Sequence, residues 1–329
     1  MALSDFVRID LAFLPTLLHE LSHISKLYNG PIIMIKRDDQ TGLAFGGNKT
    51  RKLEYLFADA LQHNANAIIT AGALQSNHCR QAAAAAAKLG LHCELLLNSK
   101  KPDFIQGNVL LDELCGALIH WQQEKNAPGS LQELAAKVEQ QGYKPYIIPY
   151  GGSNRFGVLG YVHALLEIME QQKKISQKIT HIVFASCSGA THVGLVLGAR
   201  LTGFKGEIIG ISVDYDHSKK AQYQKDHVDL ANSTAGMIGL DANFTTDDFN
   251  INYEYAKEYG VLTKLEQQAI ELMASKEGIL LDPVYTGRAF GGLLDMIQKG
   301  ILNSDDVVLF IHTGGTPSLF AYADQLSKL

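Results

Sequence analysis

The stretch His181-Ile182-Val183-Phe184-Ala185-Ser186-Cys187-Ser188-Gly189-Ala190-Thr191 decides the fold. Its apolar run shows no polar alternation, so it reads as a strand covered on both faces, as strands are in parallel sheets flanked by helices. The run then breaks into a turn of small residues that opens a helix. Working outward from 182–185, similar apolar runs recur at 32–35, 67–70, 93–97, 146–148, 208–213 and 307–311. Between them, helical periodicity covers 52–63, 80–89, 131–140, 161–171 and 265–276. Six alanines in a row at 82–87 carry the highest helix propensity available and predict a closely packed helix. The fold class is therefore α/β.

A chain of 329 residues is long enough for about two domains. It contains no internal repeat and no Pro/Ser linker, so a second domain is expected to be embedded in the first. Gly151-Gly152 and Gly157 supply a hinge near the midpoint. The 29 basic and 34 acidic side chains leave a net charge of -5, with no Lys/Arg-rich run, which argues against nucleic acid and anionic membrane as partners. Every apolar run falls far short of the roughly 18 residues that span a bilayer. The N-terminus carries Asp5, Arg8 and Asp10 where a signal peptide is apolar, so a cytoplasmic protein is expected. Cys79, Cys93, Cys115 and Cys187 form no CxxC pair and read as free thiols in a reducing compartment.

His19-Glu20-Leu21-Ser22-His23 matches HExxH, in which two histidines on one helical turn bind zinc and the glutamate activates water. The segment follows Pro15, ends by Asn29-Gly30 and lacks a GxxH continuation, so no third ligand is evident. With 12 histidines in the chain a chance match is the expected reading, and no metal is expected. A zinc metalloprotease using His19 and His23 stands as the alternative from another functional class.

Four other segments carry chemistry. Lys36-Arg37-Asp38-Asp39 leads into Gly42-Leu43-Ala44-Phe45-Gly46-Gly47-Asn48-Lys49-Thr50-Arg51-Lys52, a glycine-rich turn leaving a strand and entering a helix. It is either a solvated loop or a place where Lys49 is a desolvated amine poised to react with an aldehyde cofactor. Ser186 to Thr191 is either a plain helix cap or a phosphate site, and without a P-loop lysine or GxGxxG it suits a single phosphate. Gln75-Ser76-Asn77-His78 precedes the alanine helix as an N-cap or as a carboxylate receptor. His312-Thr313-Gly314-Gly315-Thr316 lies at the carboxyl end of the 307–311 strand, the edge where open α/β sheets bind ligands, or is simply a turn.

Taken in order, and with LDPVYTG at 281–287, these motifs resemble the family of pyridoxal-phosphate enzymes containing 1-aminocyclopropane-1-carboxylate deaminase and D-cysteine desulfhydrase. The resemblance runs from about Asp10 to the C-terminus. It implies fold type II, with two open, twisted, mostly parallel sheets covered on both faces by helices. A small domain (48–158) is then inserted in a larger one (1–47 and 159–329), the cofactor lies in the cleft between them, and the assembly is a homodimer.

Position by position, the resemblance implies Lys49 as the Schiff-base lysine and Asn48 as partner of the cofactor's phenolic oxygen. Lys52 with Cys187, Ser188, Gly189, Ala190 and Thr191 would hold the phosphate, and Thr313 would face the ring nitrogen. Ser76, Asn77 and His78 would bind the substrate carboxylate, with Ser76 close to the reacting carbon. Tyr259 and Tyr285 match two active-site tyrosines. The sequence departs from the family pattern at Cys187, Ala190, Tyr150 and Arg288. In the deaminases a Tyr-Glu pair accompanies ring opening, whereas Tyr285 is followed here by Thr286, expected at the substrate without a glutamate's charge. The implied reaction is therefore β-elimination from a small D-amino acid, D-cysteine giving pyruvate, ammonia and sulfide. A cysteate sulfo-lyase and the cyclopropane deaminase are the alternatives.

Overall fold

The computed structural model describes residues 3–214, 218 and 220–326. In chain order the elements are β1 (Leu18–Glu20), α1 (Ser22–Tyr28), β2 (Ile32–Lys36), α2 (Asn48–Gln62), β3 (Ala67–Gly72), α3 (Asn77–Leu89), β4 (His92–Leu97), α4 (Gly107–Leu114), β5 (Leu118–Trp121), α5 (Leu131–Gln140) and β6 (Pro145–Ile147). The second half follows with α6 (Arg155–Gln172), β7 (His181–Ser186), α7 (Ala190–Thr202), β8 (Glu207–Ser212), α8 (Lys220–Ile238), β9 (Asn250–Asn252), α9 (Lys264–Glu277), α10 (Thr286–Gln298) and β10 (Val307–Ile311).

Two sheets result. The six-stranded one has the order β1-β2-β10-β7-β8-β9, and the four-stranded one β5-β4-β3-β6. All neighbours are parallel except the edge strand β1, which runs antiparallel to β2. Strands without alternation are the ones buried on both faces: every residue of β3 and β10 is buried. In the four-stranded unit, Ala82, Ala83, Ala85 and Ala86 of α3 share a core with Leu53, Leu56 and Phe57 of α2, so the small side chains let the two helices approach closely.

Several elements escape a reading of local pattern. β1 and β9 have three residues each, and β5 is an edge strand with Leu118 exposed. α10 begins Thr286-Gly287-Arg288 and contains Gly291-Gly292, which resembles a loop. It is a helix because it lies tight against its neighbours: a Cβ at Gly291 would stand 2.7 Å from Leu265 Cγ, and one at Gly292 2.8 Å from Tyr255 Cδ2.

The HExxH match does not form a helical turn. His19 lies on β1 and His23 on α1, and Leu21 between them has φ -90° and ψ 74°, outside the helical region. His23 Nδ1 instead sits 3.4 Å from Glu277 Oε2 on α9. His19→Ala and His23→Ala are therefore expected to leave turnover within about twofold and stability within about 1 kcal/mol, the scale of an exposed ion pair. Kinetics and thermal unfolding in the presence of a chelator check this; loss of activity on either substitution would restore the metal reading.

A buried ionic network fixes α2 against the six-stranded sheet. Asp38 accepts from Arg51 Nε at 2.9 Å and Nη2 at 2.8 Å, from Thr16 Oγ1 at 2.8 Å and from Tyr161 Oη at 2.6 Å. Glu167 on α6 accepts from Arg51 Nη1 at 3.0 Å and from Lys36 Nζ at 2.5 Å. Burial pushes the Asp38 carboxyl up, but Arg51 and Lys36 outweigh it and the net shift is downward. Glu167 follows the same pattern, burial opposed and overcome by Arg51 and Lys36.

Candidate active site

The carboxyl ends of parallel strands from both sheets converge on one cavity of about 240 Å³. Gly72 ends β3, Asn98 follows β4, Tyr150 and Gly151 follow β6, Ser186 to Gly189 leave β7, Asp214 follows β8 and Thr313 follows β10, and all of them line it. Such a convergence is where open α/β sheets bind ligands.

Lys49 enters the cavity from the first turn of α2. Its approach is set by Gly46 and Gly47, whose φ values are 65° and 129°; a Cβ at Gly46 would stand 2.2 Å from Asp39 O. Lys49 Nζ lies 3.4 Å from Gly151 O, and Lys52 Nζ reaches the same carbonyl at 3.3 Å. Burial pushes the Lys49 ammonium below its ordinary value. Lys52 is pushed well down, by burial and then by the charge on Lys49. Burial thus favours the neutral amine at Lys49, the condition for a nucleophilic or basic lysine.

Opposite stands the amino end of α3. Ser76 caps it, its Oγ accepting from Cys79 N at 3.1 Å, while its side chain also faces the cavity. The cap is thus also a cavity-lining residue. His78 is buried, with Nε2 at 2.9 Å from Thr70 Oγ1. Since Thr70 Oγ1 donates to Ile148 O, His78 Nε2 carries the proton, and Nδ1 is a buried acceptor without a partner. Burial, then the charges of Lys49 and Lys52, hold His78 well below its usual value, so the ring is neutral.

The turn after β7 forms the third wall. Ser153 Oγ donates to Ser188 Oγ at 2.8 Å and accepts from Ala190 N at 3.4 Å, and Asn48 Nδ2 donates to Thr191 Oγ1 at 3.1 Å. α7 starts here, so its free N–H groups and positive dipole end point into the cavity, a ready site for a phosphate. Thr313 is held by a turn in which His312 Nε2 donates to Leu280 O at 2.9 Å and Gly314 N donates to His312 Nδ1 at 3.2 Å. Tyr259 and Tyr285 close the cavity, their hydroxyls 2.6 Å apart. Burial pushes both phenols up, so they remain protonated donors.

Twelve of the residues expected from sequence line this cavity: Asn48, Lys49, Ser76, Asn77, His78, Cys187, Ser188, Gly189, Thr191, Tyr259, Tyr285 and Thr313. Lys52 and Ala190 lie just behind it. Thr286 does not meet the cavity, contrary to expectation. It is fully buried, and its Oγ1 donates to Asp282 Oδ1 at 2.7 Å while accepting from Asp282 N at 2.7 Å. Position explains this: the Asp282 carboxylate in the turn ahead of α10 also accepts from Thr286 N at 2.7 Å, and the first residue of that helix folds back onto it. The reading of the residues passed over Asn98, Asp214 and His192, which also line the cavity. Their one sequence signal is position, since Asn98 and Asp214 each follow the end of a parallel strand.

The family model described as pyridoxal-phosphate dependent enzyme matches residues 9–314. The chain belongs to that family. These pyridoxal-phosphate dependent enzymes include the D-cysteine desulfhydrases of Salmonella choleraesuis (strain SC-B67) and Salmonella newport (strain SL254), each 45% identical over 328 residues that cover 97% of both chains. A crystal structure described as an ACC deaminase homologue superposes with a TM-score of 0.89 at 38% identity, covering 99% of this chain and 97% of the other. Threonine deaminase isoform 2 from Solanum lycopersicum shares the fold, with a TM-score of 0.67 at 15% identity over 99% of this chain and 84% of its own.

The residues present fit pyridoxal phosphate. A Cβ at Gly151 would stand 2.3 Å from Ser188 Oγ and 3.3 Å from Lys49 Nζ, so the glycine keeps open the space between the lysine and the turn after β7. The unpartnered Nδ1 of His78 and the α7 amino end supply polar atoms awaiting a ligand. The pyridoxal-phosphate enzyme also has a neutral-leaning lysine at the site, as the aldehyde requires.

Proposed function

We propose that this enzyme eliminates the β-substituent of a small D-amino acid, D-cysteine foremost, consuming one water and releasing pyruvate, ammonia and hydrogen sulfide. The observation that carries the reading is the placement of Lys49 across a small cavity from the amino end of α3, in a chain 45% identical to D-cysteine desulfhydrases over 97% of its length. When bound, the cofactor supplies an electron sink for charge developing at the substrate's α-carbon.

The protein's own groups do the rest. Asn48, Lys52, the Cys187 to Thr191 turn and Thr313 hold the cofactor; Ser76, Asn77 and His78 hold the substrate carboxylate. Lys49 Nζ, kept low by burial, takes the α-proton. The hydroxyl pair of Tyr259 and Tyr285 stays protonated and gives a proton to the departing sulfur; its position in the cavity supports this. Among the described residues lining the cavity Asp214 is the one carboxylate, which favours elimination over cyclopropane ring opening assisted by a glutamate.

Pyruvate should form faster from D-cysteine than from L-cysteine, D-cysteate or L-cysteate, and 2-oxobutyrate from 1-aminocyclopropane-1-carboxylate should be the slowest product. Coupled assays of all five compounds check it. Faster turnover of the cyclopropane compound than of every β-substituted alanine would overturn the reading, and a preference for a cysteate would change the leaving group alone.

The proposal extends to organisation. Residues 48–158 form the small domain and 1–47 with 159–329 the large one; all four strands of the smaller sheet fall within the first range, and the boundary at 158 lies in the first turn of α6. A homodimer in the cytoplasm completes it, with four unpaired thiols fitting a reducing compartment and sedimentation equilibrium testing the assembly. Among the described residues no helix is long and apolar enough to cross a membrane.

A further inference from the structure

Among the described residues lining the cavity, Lys49 is the only lysine and there is no arginine. A substrate carboxylate at the amino end of α3 therefore meets no guanidinium directly. One stands behind it. Arg80 is fully buried on α3, and it donates from Nη1 to Asn108 Oδ1 at 3.0 Å and from Nη2 to Gly46 O at 2.6 Å. Asn108 is also fully buried, in the first turn of α4, and donates from Nδ2 to Asn77 Oδ1 at 2.8 Å and to Gln75 O at 2.9 Å.

The chemistry of this chain leaves no choice of amide orientation. A guanidinium only donates, so the Asn108 atom facing it is Oδ1 and the atom facing Asn77 is Nδ2. That donor in turn requires Asn77 to present Oδ1, which leaves Asn77 Nδ2 as the donor free for a ligand. Each link also polarises the next in the same sense, since hydrogen bonds in series within a low-dielectric interior strengthen one another. Burial lowers Arg80 to about 10, so it remains a cation at neutral pH. Its charge has no hydrogen-bonded carboxylate among the described residues: both oxygens of the buried Asp112 lack partners, and burial pushes that carboxyl well up toward its neutral form.

Resting on the proposed reaction, we infer that Arg80, acting through Asn108 and Asn77, is the remote countercharge that makes the site select a carboxylate-bearing amine. Arg80 and Asn108 are positioning residues in this arrangement; neither lines the cavity. The bond from Arg80 to Gly46 O ties the same relay to the turn that delivers Lys49, so one cation sets both the carboxylate donor and the lysine approach.

The test compares two ligands on the holoenzyme, titrated through the visible absorbance of the bound cofactor. D-Alanine has the carboxylate and no leaving group, and ethylamine lacks the carboxylate. Asn108→Asp keeps the shape of the side chain, neutralises Arg80 and turns Asn77 round. Asn108→Leu breaks the relay without adding charge. Both should weaken D-alanine by about tenfold or more, the scale of one hydrogen bond to a charged group, with Asn108→Asp the worse. Ethylamine should stay within about twofold, and the cofactor band and a folded thermal transition should persist.

Equal weakening of both ligands, or of neither, would overturn the inference, because a merely structural Asn108 has no reason to distinguish them. If wild-type enzyme releases pyruvate from D-cysteine and the variants show no discrimination, the relay is wrong and the reaction stands. If wild-type enzyme neither turns over D-cysteine nor binds D-alanine, the proposed function fails and takes the inference with it.

Discussion

Lys49→Ala is expected to lower pyruvate release from D-cysteine by at least about a thousandfold, since the proposed reaction gives that one amine both the anchoring of the cofactor and the removal of the α-proton. The fold should survive. Lys49 makes one long hydrogen bond, to Gly151 O at 3.4 Å, and its removal relieves the crowding of two amines on one carbonyl. An unfolding free energy within about 1 kcal/mol of wild type is expected. Steady-state assays and denaturant titration check the two halves separately. Activity within tenfold of wild type in a folded variant would show that another base serves, with Lys52 the nearest amine.

The largest stability effect is expected at a residue remote from the chemistry. Asp38→Ala leaves Arg51 and Lys36 buried with Glu167 as the remaining carboxylate, and breaking a buried ion pair from one side costs about 3–5 kcal/mol. Activity should fall with it, because Arg51 sits two residues beyond Lys49 on α2 and holds that helix against the large sheet. The effect has a pH signature. The Asp38 and Glu167 carboxyls lie below their ordinary values in the folded protein, so the native state binds fewer protons than the unfolded chain. Their stabilisation is complete above about pH 4 and is lost as pH falls from there through the lower folded values. The stability gap between wild type and Asp38→Ala should therefore be constant near neutrality and close in acid, as unfolding titrations at several pH values would reveal. A gap that widens in acid would contradict the network.

The contrast between these two positions shows what the sequence disclosed. Ile182 and Val183 read as a buried strand and Gly189 as a turn because local pattern carries that information, and the same holds for Ser76, Lys49 and Thr313 at the ends of such units. The partners of Arg51 do not show in this way. Asp38 and Glu167 lie 13 and 116 residues from it, and only the large sheet and the packing of α6 against α2 bring them together. Asn108 was silent for the same reason, contacting Asn77 from 31 residues away across the helix pair. Thr286 was expected at the substrate because it stands where the deaminases carry the glutamate of a Tyr-Glu pair, whereas here its hydroxyl turns onto Asp282. β1 and β9 are too short to show a period, and the glycines of α10, which serve packing, interrupt its helical pattern.

Borohydride reduction of the holoenzyme followed by peptide mapping reports which amine holds the aldehyde, without requiring a substrate. A single pyridoxyl adduct is expected, on the peptide containing Lys49. An adduct on Lys52 or on any other lysine, or a protein that cannot be loaded with pyridoxal phosphate at all, would contradict it.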